Sequence, residues 1–289
     1  LAEMGFSVNQ RPVVQRLLKC REGIVLVAGP TGSGKTTTLY SLLHALDGED
    51  QNIITIEDPI EFHIPSLLQM EVDLRHNVTP ARALKTVLRM DPDVVMVGEI
   101  RDAEAAALAL RASDTGTFVL STVHARDAAS MLTAMRDLHV DERSLASNLR
   151  AVISQRLVRK VCQHCKVDRP LADKELRQFE LADVTPPDAI VQAKGCQRCD
   201  GAGYFDRVGV YEVVENTPAI AAAIQEGATE AKLRSMFREA GIPNLAADGL
   251  QKVADGMTDF EEIQRMTWVA PAASSPDSTE HDSNARTAF

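Results

Sequence analysis

The stretch IVLVAGPTGSGKTTTLY, residues 24–40, decides the fold expected of this chain. Its apolar start, residues 24–28, is typical of a parallel strand that is buried on both faces. The next eight residues, 29–36, match the pattern G-x-x-x-x-G-K-[ST] in full. Leucines at positions 39, 42, 43 and 46 follow with the spacing of a helix. A strand, a glycine-rich turn and a helix in this order predict a phosphate-binding loop.

The chemistry of phosphate binding explains the residue types of this loop. Glycines let the backbone curl so that its N–H groups point at phosphate oxygens, and the helix N-terminus adds a dipole that favours anions. Lys35 can reach the β- and γ-phosphates of a nucleotide, and the Thr36 hydroxyl can ligate Mg²⁺. The predicted nucleotide-binding residues of the loop are Gly29, Pro30, Thr31, Gly32, Ser33, Gly34, Lys35, Thr36 and Thr37.

Strand-like and helix-like patterns alternate on both sides of this motif. We predict strands at residues 24–28, 53–57, 94–97 and 117–123, and helices at 81–90, 103–112, 127–137 and 141–158. Farther on, a β-like run covers 207–214, and helical patterns cover 217–226, 229–240, 243–254 and 259–266. The alternation predicts an α/β fold with a parallel sheet, followed by a helical C-terminal part.

Carboxylates follow two of the predicted strands, where ligands bind in α/β sheets. Glu57 and Asp58 end the first of these strands, and Glu99 follows the second. A P-loop hydrolase needs a carboxylate to orient or deprotonate the attacking water, and Glu99 fits that role best. Gly98 takes the place where many such strands carry a Mg²⁺-binding Asp, so Glu57 or Asp58 is expected to assist the metal. The alternative is that these acids cap helices or face solvent.

His124 comes directly after the fourth predicted strand, in the segment TFVLSTVHARDA. A lone histidine is usually structural or solvated. This one is expected at the same sheet edge as the phosphate loop, where it could sense the γ-phosphate.

Four of the five cysteines form two Cys-x-x-Cys pairs, which are Cys162 with Cys165 and Cys196 with Cys199. Two such pairs supply four thiolates, enough for a closed tetrahedral Zn²⁺ site with a structural role. The alternative is that they are free thiols or disulfides.

Composition excludes some classes of function. The 289 residues carry a formal net charge of −10, which argues against bulk nucleic-acid binding. No apolar run approaches the ~18 residues that span a membrane, and the N-terminus lacks a signal-peptide pattern. A cytoplasmic protein is the simplest interpretation, and the leading Leu1 suggests a piece of a longer protein.

Four segments, in this order, resemble the boxes of the secretion ATPase superfamily, in particular the GspE/PilB-type ATPases of type II secretion and type IV pilus assembly. These segments are GPTGSGKTTTLY, ITIEDPIEF, LRMDPDVVMVGEIRDAEAA and TGTFVLSTVHARDAA. The resemblance runs from about residue 5 to 267. It departs at Thr117, where the family often has a histidine, and at Ala125, where threonine is usual.

The resemblance implies a RecA-like core that works as a homo-hexameric, Mg²⁺-dependent ATPase at the cytoplasmic face of the inner membrane. The implied partners are an inner-membrane platform protein and a membrane-recruiting subunit, with no nucleic acid. Arg82 and Arg89 are the implied trans-acting arginines, with surface salt bridges as the alternative. The tetracysteine region favours assembly or secretion over pilus retraction. The resemblance also implies a separate N-terminal domain before the motor, and weak hydrolysis and loss of hexamers are expected of this chain alone.

We therefore expect a RecA-like P-loop core at 1–158, a tetracysteine zinc-binding segment at 159–212, a helical subdomain at 213–268 and a disordered tail at 269–289. Two functions compete with the motor. One is a RecA-like nucleic-acid translocase, which the acidic balance disfavours. The other is a nucleotide-binding scaffold with little turnover, which the intact set of Lys35, Thr36, Glu57 and Glu99 disfavours.

Overall fold

The computed structural model describes residues 4–47 and 51–267, where strands and helices alternate as expected through the first half. The strands are β1 (Gly23–Ala28), β2 (Ile53–Glu57), β3 (Leu68–Glu71), β4 (Val94–Val97), β5 (Phe118–Val123), β6 (Leu149–Val161), β7 (Val167–Arg169), β8 (Ile190–Gln192) and β9 (Tyr204–Glu215). The helices are α1 (Gln10–Leu17), α2 (Lys35–Leu46), α3 (Pro80–Val87), α4 (Ala103–Asp114), α5 (Ala128–Asp137), α6 (Glu142–Asn148), α7 (Asp173–Leu181), α8 (Pro218–Gln225), α9 (Glu230–Glu239), α10 (Leu245–Ala254) and α11 (Phe260–Thr267).

Seven strands form the main sheet, in the order β3-β2-β4-β5-β1-β6-β9. The first six run parallel, and β9 pairs antiparallel with β6. All residues of β1, β2, β4 and β5 are buried, which explains why these strands read as short apolar runs without alternation. The predicted parallel α/β sheet is therefore confirmed.

Helices cover both faces of the sheet. On one face, α1 and α2 pack through Val14, Leu39 and Leu43 against Val25 and Val27 of β1. On the other face, a larger apolar cluster includes residues from α3, α4, α5, α6, α8 and α9. A third, smaller cluster lies where α7, α10 and α11 meet β6 and β9. The C-terminal helices thus pack directly on the main sheet.

The helix predicted at 141–158 is wrong beyond Asn148. The helix α6 starts after Asp141, whose side chain accepts from Ser144 N, and ends at Asn148. Residues 149–161 form β6, the longest strand of the sheet. Leu149, Val152 and Ile153 happen to repeat with helical spacing, but pairing with β1 on one side and β9 on the other decides the outcome.

The segment between β6 and β9, residues 162–203, is called the tetracysteine lobe below. It holds the antiparallel pair β7–β8 and the helix α7. The boundaries expected after residues 158 and 212 fall inside β6 and β9, which pair from Ala151 with Glu215 as far as Val161 with Tyr204. The tail expected at 269–289 lies outside the described residues. Within the described part of the chain, no helix has the length and apolar character needed to cross a membrane.

Candidate active site

The carboxyl ends of β1, β2, β4 and β5 meet at one edge of the sheet because these strands are parallel neighbours. The phosphate loop follows β1, and Glu57 ends β2. Glu99 follows β4, and His124 follows β5. The sheet topology therefore brings together the four sequence segments that carry the candidate site.

The phosphate loop has the backbone geometry that its glycines allow. Gly34 adopts a left-handed conformation with φ 85° at the start of α2, and Gly32 has φ 77°. Gly29 is pressed against β6, because a Cβ at Gly29 would lie 2.7 Å from the Gln155 carbonyl oxygen. The buried Ser33 Oγ has no hydrogen-bond partner among the described residues. A glycine-rich turn of this shape at a helix N-terminus fits the phosphates of a nucleotide.

Lys35 folds back over the loop. Its Nζ donates to the carbonyl oxygens of Gly29 at 3.0 Å and Pro30 at 3.1 Å. Burial lowers the pKa of Lys35, the nearby Glu99 carboxylate opposes that shift, and Arg156 adds to it. No carboxylate in the described ranges lies within ion-pair distance of Lys35, so its charge is available to an anionic ligand. The neighbouring Thr36 is half-buried at the first turn of α2.

Basic side chains lie against both oxygens of Glu99. Arg101 Nε lies 2.6 Å from Glu99 Oε2, and His124 Nε2 lies 2.6 Å from Oε1. The His124 approach lacks hydrogen-bond geometry, so Oε1 has no hydrogen-bond partner in the described structure. The Arg101 guanidinium also reaches Asp58, with 3.5 Å between the closest atoms. Glu99 is mostly buried, whereas Arg101, His124 and Asp58 are exposed to solvent.

Glu57 lies deeper, at 3% exposure, inside a network of neutral donors. Its Oε1 accepts from Thr55 Oγ1 at 2.6 Å and from Gln69 Nε2 at 3.0 Å. Its Oε2 accepts from the hydroxyl of Tyr40 on α2. Burial, followed by this hydrogen bond, raises the pKa of Tyr40 to about 12, so the phenol stays a donor at neutral pH. Glu57 thus ties β2 to the helix that starts at the phosphate loop.

Close contact with β2 explains why the residue after β4 is a glycine, Gly98. Gly98 N donates to Ile56 O at 2.8 Å, and a Cβ on Gly98 would lie 3.3 Å from the same oxygen. Thr122 Oγ1 donates to Gly98 O, and Ser121 Oγ donates to Val97 O, both at 2.7 Å. These two hydroxyls fix β5 to β4, so they are engaged with the backbone rather than turned to a ligand.

Two residues beside the phosphate loop were not predicted. Gln155 on β6 accepts from Thr38 Oγ1 of α2 at 2.5 Å, and its amide nitrogen faces Gly34. Arg156 donates to Gln155 O at 2.9 Å and to Arg126 O at 2.7 Å. Burial lowers the pKa of Arg156. Both residues follow Ser154, which pairs with Ala28 at the end of β1. A strand prediction for residues 149–158 would therefore have placed Gln155 and Arg156 beside the phosphate loop.

The predicted arginines lie apart from this cluster. Arg82, in the first turn of α3, donates to Asn77 O at 3.2 Å. Arg89 follows α3 and precedes Met90, whose carbonyl oxygen accepts from the Asn52 side chain. Because Asn52 lies just before β2, Arg89 is near the amino end of that strand, at the sheet edge opposite the phosphate loop. Neither guanidinium has a hydrogen bond or ion pair to the phosphate loop within residues 4–47 and 51–267. Both are exposed, and their trans-acting role stays a prediction.

The four paired cysteines converge in the tetracysteine lobe. Their sulfur atoms all lie within 4.8 Å of one another. Backbone N–H groups of Cys196 and Gly203 donate to Cys199 Sγ, each at 3.2 Å. Burial raises the pKa of Cys199, but these donors outweigh it and bring that pKa down to about 7. At Cys165, by contrast, burial raises the pKa to about 11. Four clustered sulfurs fit a tetrahedral zinc ion.

Sequence similarity to known proteins shows the family of this chain. The sequence model of the family described as "Type II/IV secretion system protein" matches residues 1–265. The chain belongs to this family. It is 42% identical to the type II secretion system ATPase E of Vibrio cholerae over 267 residues, which are 92% of this chain and 53% of that protein. It is 40% identical to the type IV pilus assembly ATPase PilB of Pseudomonas aeruginosa over 269 residues, 91% of this chain and 47% of that one. The chain thus spans about half the length of the curated relatives it matches.

Solved structures agree on the fold of this secretion-family chain. The pilus retraction motor PilT, solved with bound ADP, superposes with a TM-score of 0.67 at 27% identity, over 96% of this chain and 67% of PilT. The DotB ATPase of Legionella pneumophila superposes with a TM-score of 0.65 at 22% identity, over 92% of this chain and 64% of DotB, which shows the fold alone. The predicted fold class, an α/β fold with a parallel sheet like that of these motors and with a four-cysteine segment, is confirmed.

Proposed function

We propose that this chain is the ATP-hydrolysing motor part of a machine that drives type II secretion or type IV pilus assembly. The observation that carries the proposal is the convergence of Lys35, which follows β1, and Glu99, which follows β4, at one edge of the sheet. The type of machine is inferred from the relatives, which are named as type II secretion and pilus assembly ATPases.

Each side chain of the cluster has a distinct task in this proposal. Lys35 and the loop N–H groups bind the β- and γ-phosphates. Glu99 Oε1, which no described residue hydrogen-bonds, is the oxygen that accepts a proton from the attacking water. Arg101 holds the other oxygen and so fixes the orientation of the carboxylate. His124 lies beside the reactive oxygen, where a γ-phosphate would change its surroundings.

Hydrolysis is proposed to depend on Mg²⁺, and the residues present fit it. The Thr36 hydroxyl is the proposed direct ligand, with Asp58 and Glu57 acting through water. When bound, the ion neutralises charge on the β- and γ-phosphate oxygens. Glu57 contributes mainly through the network that positions Tyr40 and β2.

The assembly is proposed to be a homo-hexamer on the basis of the family resemblance. Among the described residues, no arginine side chain forms a hydrogen bond or an ion pair with the phosphate loop. Arg82 and Arg89 are proposed to reach a neighbouring subunit's nucleotide. The hexamer is proposed to act at the cytoplasmic face of the inner membrane, with an inner-membrane platform protein and a membrane-recruiting subunit as partners. Zinc in the tetracysteine lobe is proposed to be structural.

A Glu99→Gln variant tests the proposal. It removes the proton acceptor and keeps the shape, so ATP binding should stay within about threefold while kcat falls at least about a hundredfold. Glu104→Gln is a matched control, since Glu104 is exposed and pairs with Lys85. Phosphate release and binding of a fluorescent ATP analogue are the two measurements.

Three results would count against the proposal. Unchanged turnover in Glu99→Gln would remove Glu99 from the reaction. Stimulation of the wild-type rate by DNA would favour a nucleic-acid translocase. Tight ATP binding with no phosphate release from assembled wild-type protein would favour a scaffold.

A further inference from the structure

The loop that carries His124, residues 124–127 between β5 and α5, has no regular secondary structure of its own. This His124 loop nevertheless places the imidazole 2.6 Å from Glu99. Contacts with residues outside the loop must therefore hold it beside Glu99.

Arg156 on β6 holds the His124 loop through hydrogen bonds to backbone carbonyl oxygens. One guanidinium nitrogen donates to Arg126 O at 2.7 Å, two residues beyond His124. The other donates to Gln155 O at 2.9 Å, and that oxygen packs against Gly29, the first glycine of the phosphate loop. The side chain is only partly exposed and has no ion pair among the described residues. A single planar group thus bridges the backbone of the His124 loop and the backbone beneath the phosphate loop.

Glu212 holds the far end of the same loop. It is buried on β9, and its Oε2 accepts from Ala128 N at 3.0 Å, at the first residue of α5. It lies opposite Ser154 on β6, whose buried hydroxyl has no hydrogen-bond partner in the described ranges. The charged groups that act on it are Asp127, Arg234 and Arg156.

Arg156 and Glu212 are diagonal neighbours on one face of the β6–β9 pair, because Ser154 pairs with Glu212 and Arg156 pairs with Val210. One side chain holds a carbonyl at residue 126, and the other holds an amide at residue 128. The two contacts fix the last part of the loop on both sides of Asp127. The paired strands β6 and β9 therefore set the position of the His124 loop, which has no regular secondary structure.

We propose that Arg156 is a positioning residue that fixes the His124 loop relative to the phosphate loop, with Glu212 as its second anchor. Arg156 acts through His124 and Glu99 rather than by contact with nucleotide. The kinetic part of its test rests on the proposed ATP hydrolysis, but the structural part does not.

The kinetic test compares Arg156→Met, His124→Ala and the double variant in the full chain. Arg156→Met should lower kcat about tenfold or more, with the KM for ATP changed less than about threefold. The double variant should be no slower than the slower single variant, because both changes remove the same arrangement. Arg156→Lys keeps the charge without the planar fork, so it should recover only part of the kcat that Arg156→Met loses.

The structural test measures amide hydrogen exchange of residues 124–130 without nucleotide. Exchange should rise about tenfold in Arg156→Met and in Glu212→Ala, and stay at the wild-type rate in Arg150→Met. Arg150 is the control because it lies on the same strand and binds Glu22 instead.

Several outcomes would overturn the proposal. Unchanged exchange at 124–130 would show that the two side chains do not hold the loop. A rise in KM with unchanged kcat would make Arg156 a nucleotide-binding residue, and additive losses with His124→Ala would separate the two residues. If wild-type protein releases no phosphate, the proposed function fails while the exchange measurement still decides the role of Arg156.

Discussion

Tyr40 and Glu57 are joined by a hydrogen bond from the phenol to a buried carboxylate oxygen, and this bond links α2 to the end of β2. The helix α2 starts at the phosphate loop, and Glu57 is followed at once by Asp58, which faces Arg101. The contact therefore connects the nucleotide cradle with the acidic side of the candidate site.

Replacement of Tyr40 by Phe should weaken this connection. The Glu57 Oε2 atom would lose its donor in a buried position, which costs about 1–3 kcal/mol of unfolding free energy. We also expect kcat for ATP to fall, because β2 and Asp58 would lose their support from α2. Urea unfolding and steady-state hydrolysis measure the two effects. A Tyr40→Phe protein with wild-type stability would show that the hydrogen bond contributes nothing net.

Replacement of Glu212 by Gln should remove a pH dependence of stability. Burial raises the pKa of Glu212 from 4.5 to about 7 in the folded chain. Between those values the folded chain keeps a proton that the unfolded chain releases, so stability falls as pH rises through this window. The loss amounts to roughly 3 kcal/mol when the window has been crossed. Below pH 4.5 both states hold the proton, and the group then contributes no pH dependence.

The measurement is urea unfolding of wild type and Glu212→Gln at several values from pH 4.5 to 8. The wild type should lose stability relative to the variant as pH rises. In the variant, the side-chain amide oxygen at position 212 can still accept a hydrogen bond from Ala128 N. Glu215→Gln serves as control, since Glu215 lies on the same strand and pairs with Arg16 near solvent. Parallel curves for wild type and Glu212→Gln would contradict the prediction.

Removing one charge of the buried Asp248–Lys252 ion pair should lower the free energy of unfolding. Asp248 accepts from Lys252, from Tyr211 N at 2.8 Å and from Gln10 Nε2 at 3.2 Å, so it joins α10 to β9 and α1. Asp248→Asn would leave the buried Lys252 ammonium unpaired, at a cost of about 3 kcal/mol. Adding Lys252→Met should recover part of that loss. Chemical denaturation of both variants is the measurement, and an Asp248→Asn protein as stable as wild type would refute the expectation.

Loss of one cluster thiolate should abolish zinc binding. Purified wild type is expected to carry about one zinc ion per chain, and Cys165→Ser well under half of that. Cys20→Ser is the matched control, because Cys20 is the fifth cysteine and lies outside the cluster. Metal analysis gives the stoichiometry, and protease cleavage within residues 162–203 should accelerate when the metal is lost. Equal zinc contents in all three proteins would rule out the site.

Local sequence patterns predicted the parts of the fold that depend on local rules. The strand, turn and helix around Lys35 are specified by glycine positions and leucine spacing within residues 24–46. The convergence of Glu57, Glu99 and His124 followed from one general rule, that parallel strands present their carboxyl ends at a common edge. The helix predicted at 103–112 is likewise present as α4, and its N-cap Asp102 accepts from Ala105 N.

Contacts between distant segments could not be predicted in this way. The strand β6 has apolar residues at helical spacing, and only its two pairing partners make it a strand. Arg156 was therefore missed, since its position beside the phosphate loop depends on that pairing. The Tyr40–Glu57 contact joins residues on different elements, and the burial of Glu57 among three donors is a property of the folded packing.

The tetracysteine lobe leaves the main sheet and returns to it at a single point, where Cys162 N donates to Gly203 O at 2.9 Å. Because β6 and β9 are already paired up to that point, the sheet closes without any contribution from the residues in between. The lobe is thus an insertion at the tip of a hairpin, yet its Phe179 and Ile190 complete the apolar cluster that α10 and α11 form on β6 and β9. Loss of the lobe would therefore expose apolar surface of the C-terminal helices, while the strands that carry the phosphate loop, Glu99 and His124 keep their pairing.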